Sequence, residues 1–543
     1  MSTEEKDNIK DKILTRYFII VVALVFVAIF IFVKAGVVMY AENDYWTEVA
    51  QRYVKDSVSI KPIRGNIFSA DDKLLASSIP EYDFKMDLNA NEKQREDLKA
   101  NINEISKGLN KIFPNRSANY FKNQILTGIR RKDRDRLIYD RRINYIELQK
   151  IKQLPVLSKH KYKSGLNPKE FNYRKKPFQS LASRTIGEMY GDLNKGAKNG
   201  LELYFDKELS GTSGSATRQK VRNQYIEIVK TPPVHGSDVI TTLDVDMQDI
   251  SEKALRDILK EYNASKGVVI LMEVKTGDIK AIVNLKKERD GLYYESMNSA
   301  VADLYEQGST VKTASILIAL DDKKITLDST QDLGNGMYDL YDRKIRDYNY
   351  RSGGFRDNKV KNITEIMMFS SNIGVGKTIE DAYKNNKQHF VDRFKEMLGM
   401  KLDIPIPGAA HPVIKDANDK FFSKTSLAWM SFGYETSIPA INVATFYNAI
   451  ANNGKMMAPR FVSAISKEGS IVKEYPTQTL NSSIASSSAI KDMQYILEMV
   501  VSDGLGKRAK RSEEHSSKLQ VRLVRPKSHK VNLATKGATS NIY

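Results

Sequence analysis

Ser309 and Lys312 stand three apart in the run Tyr305-Glu306-Gln307-Gly308-Ser309-Thr310-Val311-Lys312, just ahead of the apolar stretch Ala314 to Leu320. Glycine would end a loop and Ser309 would open a helix, so the spacing predicts a hydroxyl and an amine projecting from one helical face. A serine at a helix start sits among free backbone N–H groups at the positive end of the helix dipole. A lysine withdrawn from water can take the hydroxyl proton, which gives a serine acyl-enzyme nucleophile with no histidine. The bare pattern is not selective, because Ser158/Lys161, Ser470/Lys473 and Ser488/Lys491 also match it. Ser370-Ser371-Asn372 follows later in the same region. Ser-x-Asn also recurs, at Ser296-Met297-Asn298, and can equally be a helix cap. The ordered pairing of the two motifs singles out Ser309, Lys312, Ser370 and Asn372 as the candidate site.

The elements that must position these residues can be read around them. Val239 to Leu243 reads as a strand. Asp244 to Tyr262 reads as an amphipathic helix, with Met247, Ile250, Ala254, Leu255, Ile258 and Leu259 near helical spacing. Gly267 to Val274 and Ile279 to Leu285 read as strands joined by the turn Lys275-Thr276-Gly277-Asp278. Helices are expected at 309–321, 363–383, 389–398, 424–431, 440–453 and 486–502. Strand, helix, strand, turn, strand followed by helices predicts an α+β domain built on an antiparallel sheet.

Upstream, Tyr17 to Val33 carries no charge, Lys34 interrupts, and Ala35 to Ala41 continues apolar. Such a run spans a hydrocarbon core of about 30 Å, with Lys34 snorkelling at one end. No small-residue cleavage pattern follows, so it reads as an uncleaved anchor. Lys6, Lys10, Lys12 and Arg16 precede it and predict a cytoplasmic tail. The expected organisation is a tail at 1–16, a single transmembrane anchor at 17–40, a mixed α/β region at 41–235, a chemical domain at 236–510 and a basic tail at 511–543. The arginine-dense segment Arg130 to Arg142 has Asp133, Asp135 and Asp140 interleaved, so it reads as a solvated face with local ion pairs.

The chain has 543 residues, enough for two to four domains, with 41% hydrophobic and 28% charged composition. That composition excludes a wholly disordered or collagenous chain. It has no cysteine and six histidines. Disulfide scaffolds, thiolate zinc sites, iron–sulfur clusters and cysteine nucleophiles are therefore excluded. The net charge is +19. Residues 507–543 hold ten Lys/Arg against two Asp/Glu, a net +8, so +11 remains for the first 506. That remainder suits a protein beside anionic lipid or another anionic surface, not one that binds nucleic acid.

With these motifs in place, the chain resembles the class B penicillin-binding proteins, most closely the septal cell-division type. The superfamily carries Ser-x-x-Lys, Ser-x-Asn and Lys-Thr-Gly elements. Further likenesses are Arg64-Gly65-Asn66-Ile67, Arg184-Thr185-Ile186-Gly187, Gly200-Leu201-Glu202, Asp244 with Gln248, Ser431-Phe432-Gly433-Tyr434 and Ala449 to Gly454. Gln307 departs from the family, which usually has proline there. The resemblance implies a pedestal or dimerisation domain at 41–235 and a serine β-lactamase-like transpeptidase domain, an antiparallel sheet flanked by helices. It implies a bacterial inner-membrane protein whose catalytic domain lies in the periplasm. In that scheme Ser309 attacks a D-alanyl carbonyl of a stem peptide and Lys312 is the base. Ser370 relays protons, and Asn372 holds a substrate amide and Lys312. Implied partners are peptidoglycan stem peptides, β-lactam antibiotics, membrane lipid, a polytopic glycosyltransferase and other division proteins. No cofactor and no metal are expected. The alternatives are a catalytically impaired anchor or scaffold of the division complex, an elongation-type transpeptidase, and a carboxypeptidase or β-lactamase of the same superfamily.

The third motif is out of order. Lys275-Thr276-Gly277 precedes Ser309 and reads as a turn, and nothing from 503 to 543 reads Lys-Ser/Thr-Gly. The resemblance is expected to end near Lys510, short of the family's usual end. Two readings account for this, a shifted reading frame and a divergent natural tail. Codons for Leu523-Val524-Arg525-Pro526 read from their third base can give Gly-Lys-Thr, although the codons that follow cannot give glycine. Weak or absent activity is the expectation for the chain as written. Sequencing the coding DNA decides the matter, since an intact downstream frame with no Lys-Thr homologue rules the shift out.

Overall fold

The computed structural model describes residues 3–190, 196–221, 224–356, 358–507, and the two short pieces 523–524 and 541–542. The chain divides into two units, 1–62 with 211–235, and 63–210 with 236–543.

The first unit begins with helix Thr3–Gly36, extended by the wide turn Val37–Ala41. Ile13–Ala41 is long and apolar enough to cross a membrane, and its apolar side chains are exposed along the whole length. Lys34 pairs with Glu42 at 3.3 Å, and the Trp46 indole donates to the same carboxylate at 2.9 Å. Tyr40, Tyr45 and Trp46 stay exposed at this end, as aromatic side chains do at a membrane–water interface. Helix Asn43–Tyr53 then leads into strand Val54–Ile60. That strand pairs antiparallel with Gly214–Val221, which pairs with Gln224–Thr231.

The second unit holds three main layers of packing. The pedestal core is built on helices Ile102–Ile112 and Ala118–Arg131, whose apolar faces bury Ile105, Leu109, Phe121 and Ile125. Phe113 and Tyr139 stack there at 4.3 Å between ring centroids. The arginine-dense segment is ion-paired as expected, Arg136 with Asp133 at 2.7 Å and Arg141 with Glu147 at 2.7 Å.

One sheet joins the pedestal to the chemical domain. Its strands run Ser470–Glu474, Val462–Lys467, Asp238–Thr241, Ile67–Phe68, Leu74–Asp83 and Ile143–Asn144, with Lys169–Lys175 also on Leu74–Asp83. This corrects the expectation that strand 239–243 shares a sheet with the hairpin that follows it. The strand pairs instead in parallel with Ile67–Phe68 and antiparallel with Val462–Lys467, partners far away in sequence. The hairpin strands Lys266–Met272 and Ile279–Lys287 form a separate antiparallel sheet with Tyr293–Tyr294.

Helix Val245–Glu261 starts where expected, with the Asp244 carboxylate accepting from the Met247 N–H. Met247 and Ile250, read as part of its apolar face, are exposed, and the buried positions are Val245, Gln248, Leu255 and Leu259. Gln248 replaces an apolar contact with a two-way bond to the Ile282 backbone, at 2.9 and 2.7 Å.

Two polar clusters lock the pedestal in place. Glu202, with a fully buried side chain, pairs with Arg64 at 2.8 Å and Arg174 at 2.6 Å. A Cβ on Gly65 would fall 2.0 Å from the Ser237 carbonyl oxygen, so only glycine lets this segment lie against the start of the chemical domain. Further along, the Glu295 carboxylate accepts from the Ser183 hydroxyl and the Arg184 N–H at 3.1 Å each, and from the Asn284 amide at 3.2 Å. Burial pushes its acid up to about 7.

The third layer is the helical core. Helix Lys312–Asp321 is buried on every side, with Ala314, Ile316, Leu317, Ile318 and Ala319 at 0% exposure. A helix apolar all round is a central helix. At about 1.5–3 kcal/mol per buried large aliphatic side chain, its place is strongly fixed. Expected helix 363–383 is broken in two, Ile363–Met368 and Asn372–Tyr383, for a reason that belongs to the site.

Candidate active site

Ser309 lies in a one-turn 3₁₀ helix, Gly308–Val311, that runs straight into the buried helix Lys312–Asp321. The turn closes when the Lys312 N–H donates to the Ser309 carbonyl. Its neighbours bolt it down. The Gly308 N–H donates to the Gly433 carbonyl at 3.1 Å. Gly433 has φ +92°, and a Cβ there would fall 2.0 Å from the Gly308 carbonyl oxygen. Ser315 donates to the Ser431 carbonyl at 2.8 Å. The Tyr447 hydroxyl donates to the Thr310 carbonyl at 2.9 Å and shares a bond with Thr313 at 2.8 Å. Gln307, where the family usually has proline, is buried and its side-chain amide donates to the Ile438 carbonyl. The Thr310 hydroxyl donates back to the Gln307 carbonyl at 2.9 Å. Ser309 itself remains half-buried.

Lys312 has 0% exposure. Its Nζ donates to the Ser370 carbonyl at 2.6 Å and to the Ser370 hydroxyl at 3.2 Å. These bonds need the helix break. An Asn362–Glu365 capping box starts helix Ile363–Met368, which ends at Phe369. Ser370 then takes φ +51°, in the left-handed region. That conformation costs roughly 1–2 kcal/mol for a non-glycine residue and is stored where the surroundings over-determine it. Here it places the Ser370 carbonyl and hydroxyl on the buried amine. Ser371 caps the next helix, accepting from the Gly374 N–H at 2.9 Å.

Asp347 holds this second helix start. One carboxylate oxygen accepts the Asn372 N–H at 2.6 Å and the Ile373 N–H at 3.1 Å, and the other accepts the Ser371 hydroxyl at 2.7 Å. A carboxylate at a helix N-terminus satisfies orphan donors and meets the positive end of the dipole. The Asn372 side-chain amide donates to the Arg346 carbonyl at 2.9 Å.

The structure brings Lys312 and Ser370 together, with Ser309 and Asn372 adjacent in sequence and the Asn372 amide on the Arg346 carbonyl instead of on Lys312. Ser309 and Lys312 share a turn, Lys312 and Ser370 are hydrogen-bonded across 58 positions, and Asn372 lies two residues on. The rival copies fall elsewhere. Asn298 donates to Thr185 at 2.9 Å and ties the chemical domain to the pedestal. Lys275-Thr276-Gly277 is a hairpin turn, with Gly277 at φ +80° and the Thr276 hydroxyl on Glu273 at 3.0 Å. The backbone of Leu523–Val524 lies beside the Ser309 turn, and its antiparallel partner Asn541–Ile542 lies beside strand Lys266–Met272. The rest of the 511–543 tail expected to be aberrant lies outside the described residues. Sequence reasoning missed Asp347, Tyr447 and the amide of Gln307. An aspartate ahead of the Ser-x-Asn motif carried no spacing signal, because it acts from a separate hairpin.

A half-buried serine three residues from a buried lysine that bonds a second serine is the set of groups serine acyl transfer requires. Residues 267–522 match the model of the penicillin-binding protein transpeptidase domain, and residues 59–241 match that of the penicillin-binding protein dimerisation domain. The chain belongs to the class B penicillin-binding proteins. The transpeptidase match extends twelve residues past Lys510, where the resemblance was expected to end. A peptidoglycan D,D-transpeptidase FtsI homolog of Chlorokybus atmophyticus is 28% identical over 306 residues, 53% of this chain and 44% of that protein. The chain spans about half the length of the curated relatives it matches. Penicillin-binding protein 2X of Streptococcus thermophilus shares the fold, with a TM-score of 0.70 at 16% identity over 89% of this chain and 74% of that one. So does penicillin-binding protein 3 of Mycobacterium tuberculosis, solved with aztreonam, with a TM-score of 0.58 at 17% identity over 87% and 82%.

Proposed function

We propose that this chain is a membrane-anchored peptidoglycan D,D-transpeptidase of the septal type. The observation that carries this reading is the fully buried Lys312 amine, one turn from Ser309 and bonded to the left-handed Ser370. The Ser309 hydroxyl attacks the penultimate D-alanyl carbonyl of a stem peptide and its proton passes to Lys312. Ser370 relays that proton to the leaving amine, terminal D-alanine departs, and an acyl-enzyme remains. An amine of a neighbouring strand then attacks the ester, its proton returns by the same route, and Ser309 is released with a new amide cross-link formed. The Ser309 N–H supplies half of an oxyanion hole, and losing one such donor costs about 10²–10³ in rate. Asn372 holds a substrate amide. β-Lactams resemble the D-alanyl end and acylate Ser309. In this reading residues 1–16 lie in the cytoplasm and the bulk of the chain in the periplasm of a bacterial cell, beside a polytopic glycosyltransferase and other division proteins.

A second reading, an anchor or scaffold subunit with its chemistry lost, rests on Lys275-Thr276-Gly277 being taken up in a hairpin turn ahead of Ser309. Labelling with a fluorescent penicillin separates the two. The transpeptidase reading expects labelling, slow where the out-of-order third motif weakens the site, that Ser309→Ala abolishes. An unaltered chain that stays unlabelled overturns that reading and leaves the scaffold.

A further inference from the structure

Beside Asn372 lies an exposed cationic and aromatic rim that the chemistry above does not use. Strands Met337–Leu340 and Arg343–Arg346 form an antiparallel hairpin, and the chain continues through Asp347 to the turn Tyr350–Ser352. Arg346 and Arg351 are exposed and Tyr350 is half-buried between them. The Arg346 guanidinium lies 5.4 Å from the Tyr350 ring centroid, and that of Arg351 lies 5.8 Å from it. Arg351 also donates to the Tyr350 hydroxyl at 3.0 Å.

The hairpin's other two cations are matched. Arg343 lies 3.7 Å from Asp342, and Lys344 lies 3.2 Å from Asp339. Among the described residues, Arg346 and Arg351 have no carboxylate partner, and Asp347 between them is buried and turned to Ser371. Two unmatched guanidiniums sharing one phenol ring repel each other, and an anion lying across both removes that cost. The rim is held to the catalytic apparatus, because the Arg346 carbonyl accepts the Asn372 amide at 2.9 Å and Asp347 caps the helix that Asn372 begins.

We propose that Arg346, Tyr350 and Arg351 form a docking site for a carboxylate of the acceptor peptide strand, the one whose amine resolves the acyl-enzyme. This rests on the transpeptidase reading. Arginine forks fit carboxylate and phosphate alike. The peptide is the occupant the position selects, since the rim is hydrogen-bonded to Asn372 of the candidate site and the carboxylates of an acceptor peptide need a counter-charge.

The test is equilibrium binding, read by fluorescence anisotropy, of a labelled stem tetrapeptide with free carboxylates and of its fully amidated counterpart. Both are titrated into the full-length Ser309→Ala chain in detergent, so that no chemistry is required. The free-acid peptide is expected to bind about tenfold more tightly, with the preference fading at high salt. The double variant Arg346→Gln, Arg351→Gln loses the preference, and Arg346→Lys, Arg351→Lys keeps part of it. Equal binding of the two peptides by the parent chain, or an unchanged preference in the glutamine variant, overturns the proposal. So does a polyphosphate that displaces the peptide at lower concentration than free peptide does, which would make the rim a phosphate site. A chain that labels with penicillin yet fails here loses only the rim. A chain that never labels loses the transpeptidase reading, and the binding result stands apart from it.

Discussion

Two buried carboxylates, Asp347 and Glu295, each accept three hydrogen bonds, yet the regions around them behave differently. Asp347 takes two backbone N–H groups and a hydroxyl at the start of a twelve-residue helix. The helix end supplies donors that already lack partners, so the carboxylate is met by a field suited to it. Glu295 sits at the join of pedestal and chemical domain, against a helix of only four residues. Burial dominates there, Glu252 adds a like charge, and its acid rises to about 7 despite three donors. Nearby Lys176 is lowered by the same kind of burial, although Glu188, Glu202 and Glu295 oppose the shift. The lesson is that the number of hydrogen bonds does not decide what a buried carboxylate does. Burial and a like charge raise the Glu295 acid, while the Asp347 carboxylate serves as the strut of a helix start.

Breaking the strut should have the largest effect. Asp347→Ala leaves three donors at the helix start unsatisfied, at about 1–3 kcal/mol for each buried one. Ser370 and Asn372 lose their register, and penicillin labelling is expected to slow about a hundredfold, the scale of a misplaced catalytic group. Labelling kinetics with a parallel thermal melt check this, and a melt that falls while the labelling rate holds would separate Asp347 from the site.

The second test sharpens the contrast through pH. Glutamate ordinarily titrates at 4.5. Between that value and about 7 the folded chain keeps a proton on Glu295 that the unfolded chain has released. Stability from this group is therefore greatest below the unfolded value and falls as pH rises through the window, by up to about 3 kcal/mol. Glu295→Gln cannot titrate, so its melting temperature should be flatter across that window than the parent's. The smallest effect belongs to Gln307→Met. It removes the bond to Ile438 but keeps volume, and about 1 kcal/mol of stability with a severalfold slower labelling is expected. Gln307→Pro, the family's usual residue, should restore much of the rate. A methionine variant that labels at the parent rate shows that the Gly308, Thr310 and Gly433 contacts suffice.

Much of the local structure was legible in the residues. Helices expected at 389–398, 440–453 and 486–502 appear as Lys387–Leu398, Ala440–Ala451 and Ser487–Ser502. The turn at Lys275-Thr276-Gly277 is also where expected, because apolar periodicity and glycine act over a few residues. The break in 363–383 was not legible. Ile373 to Tyr383 continues the helical pattern of Ile363 to Met368, and only a carboxylate at position 347 and an amine at 312 make the left-handed Ser370 worthwhile. Strand 239–243 was rightly read as a strand and wrongly partnered, since its neighbours at 67–68 and 462–467 are remote.

The sequence by itself determined the membrane-length apolar run, the turn at Ser309 and the candidate quartet Ser309, Lys312, Ser370 and Asn372. Each of these is a matter of residue type at short spacing. It could not say which of several Ser-x-x-Lys and Ser-x-Asn copies meet. Tertiary structure decided that by burying Lys312 and bringing Ser370 onto it, while Asn298 went to Thr185. The physical reason is that desolvation and long-range hydrogen bonds depend on which surfaces pack together, and packing is a property of the whole chain, not of any stretch of it.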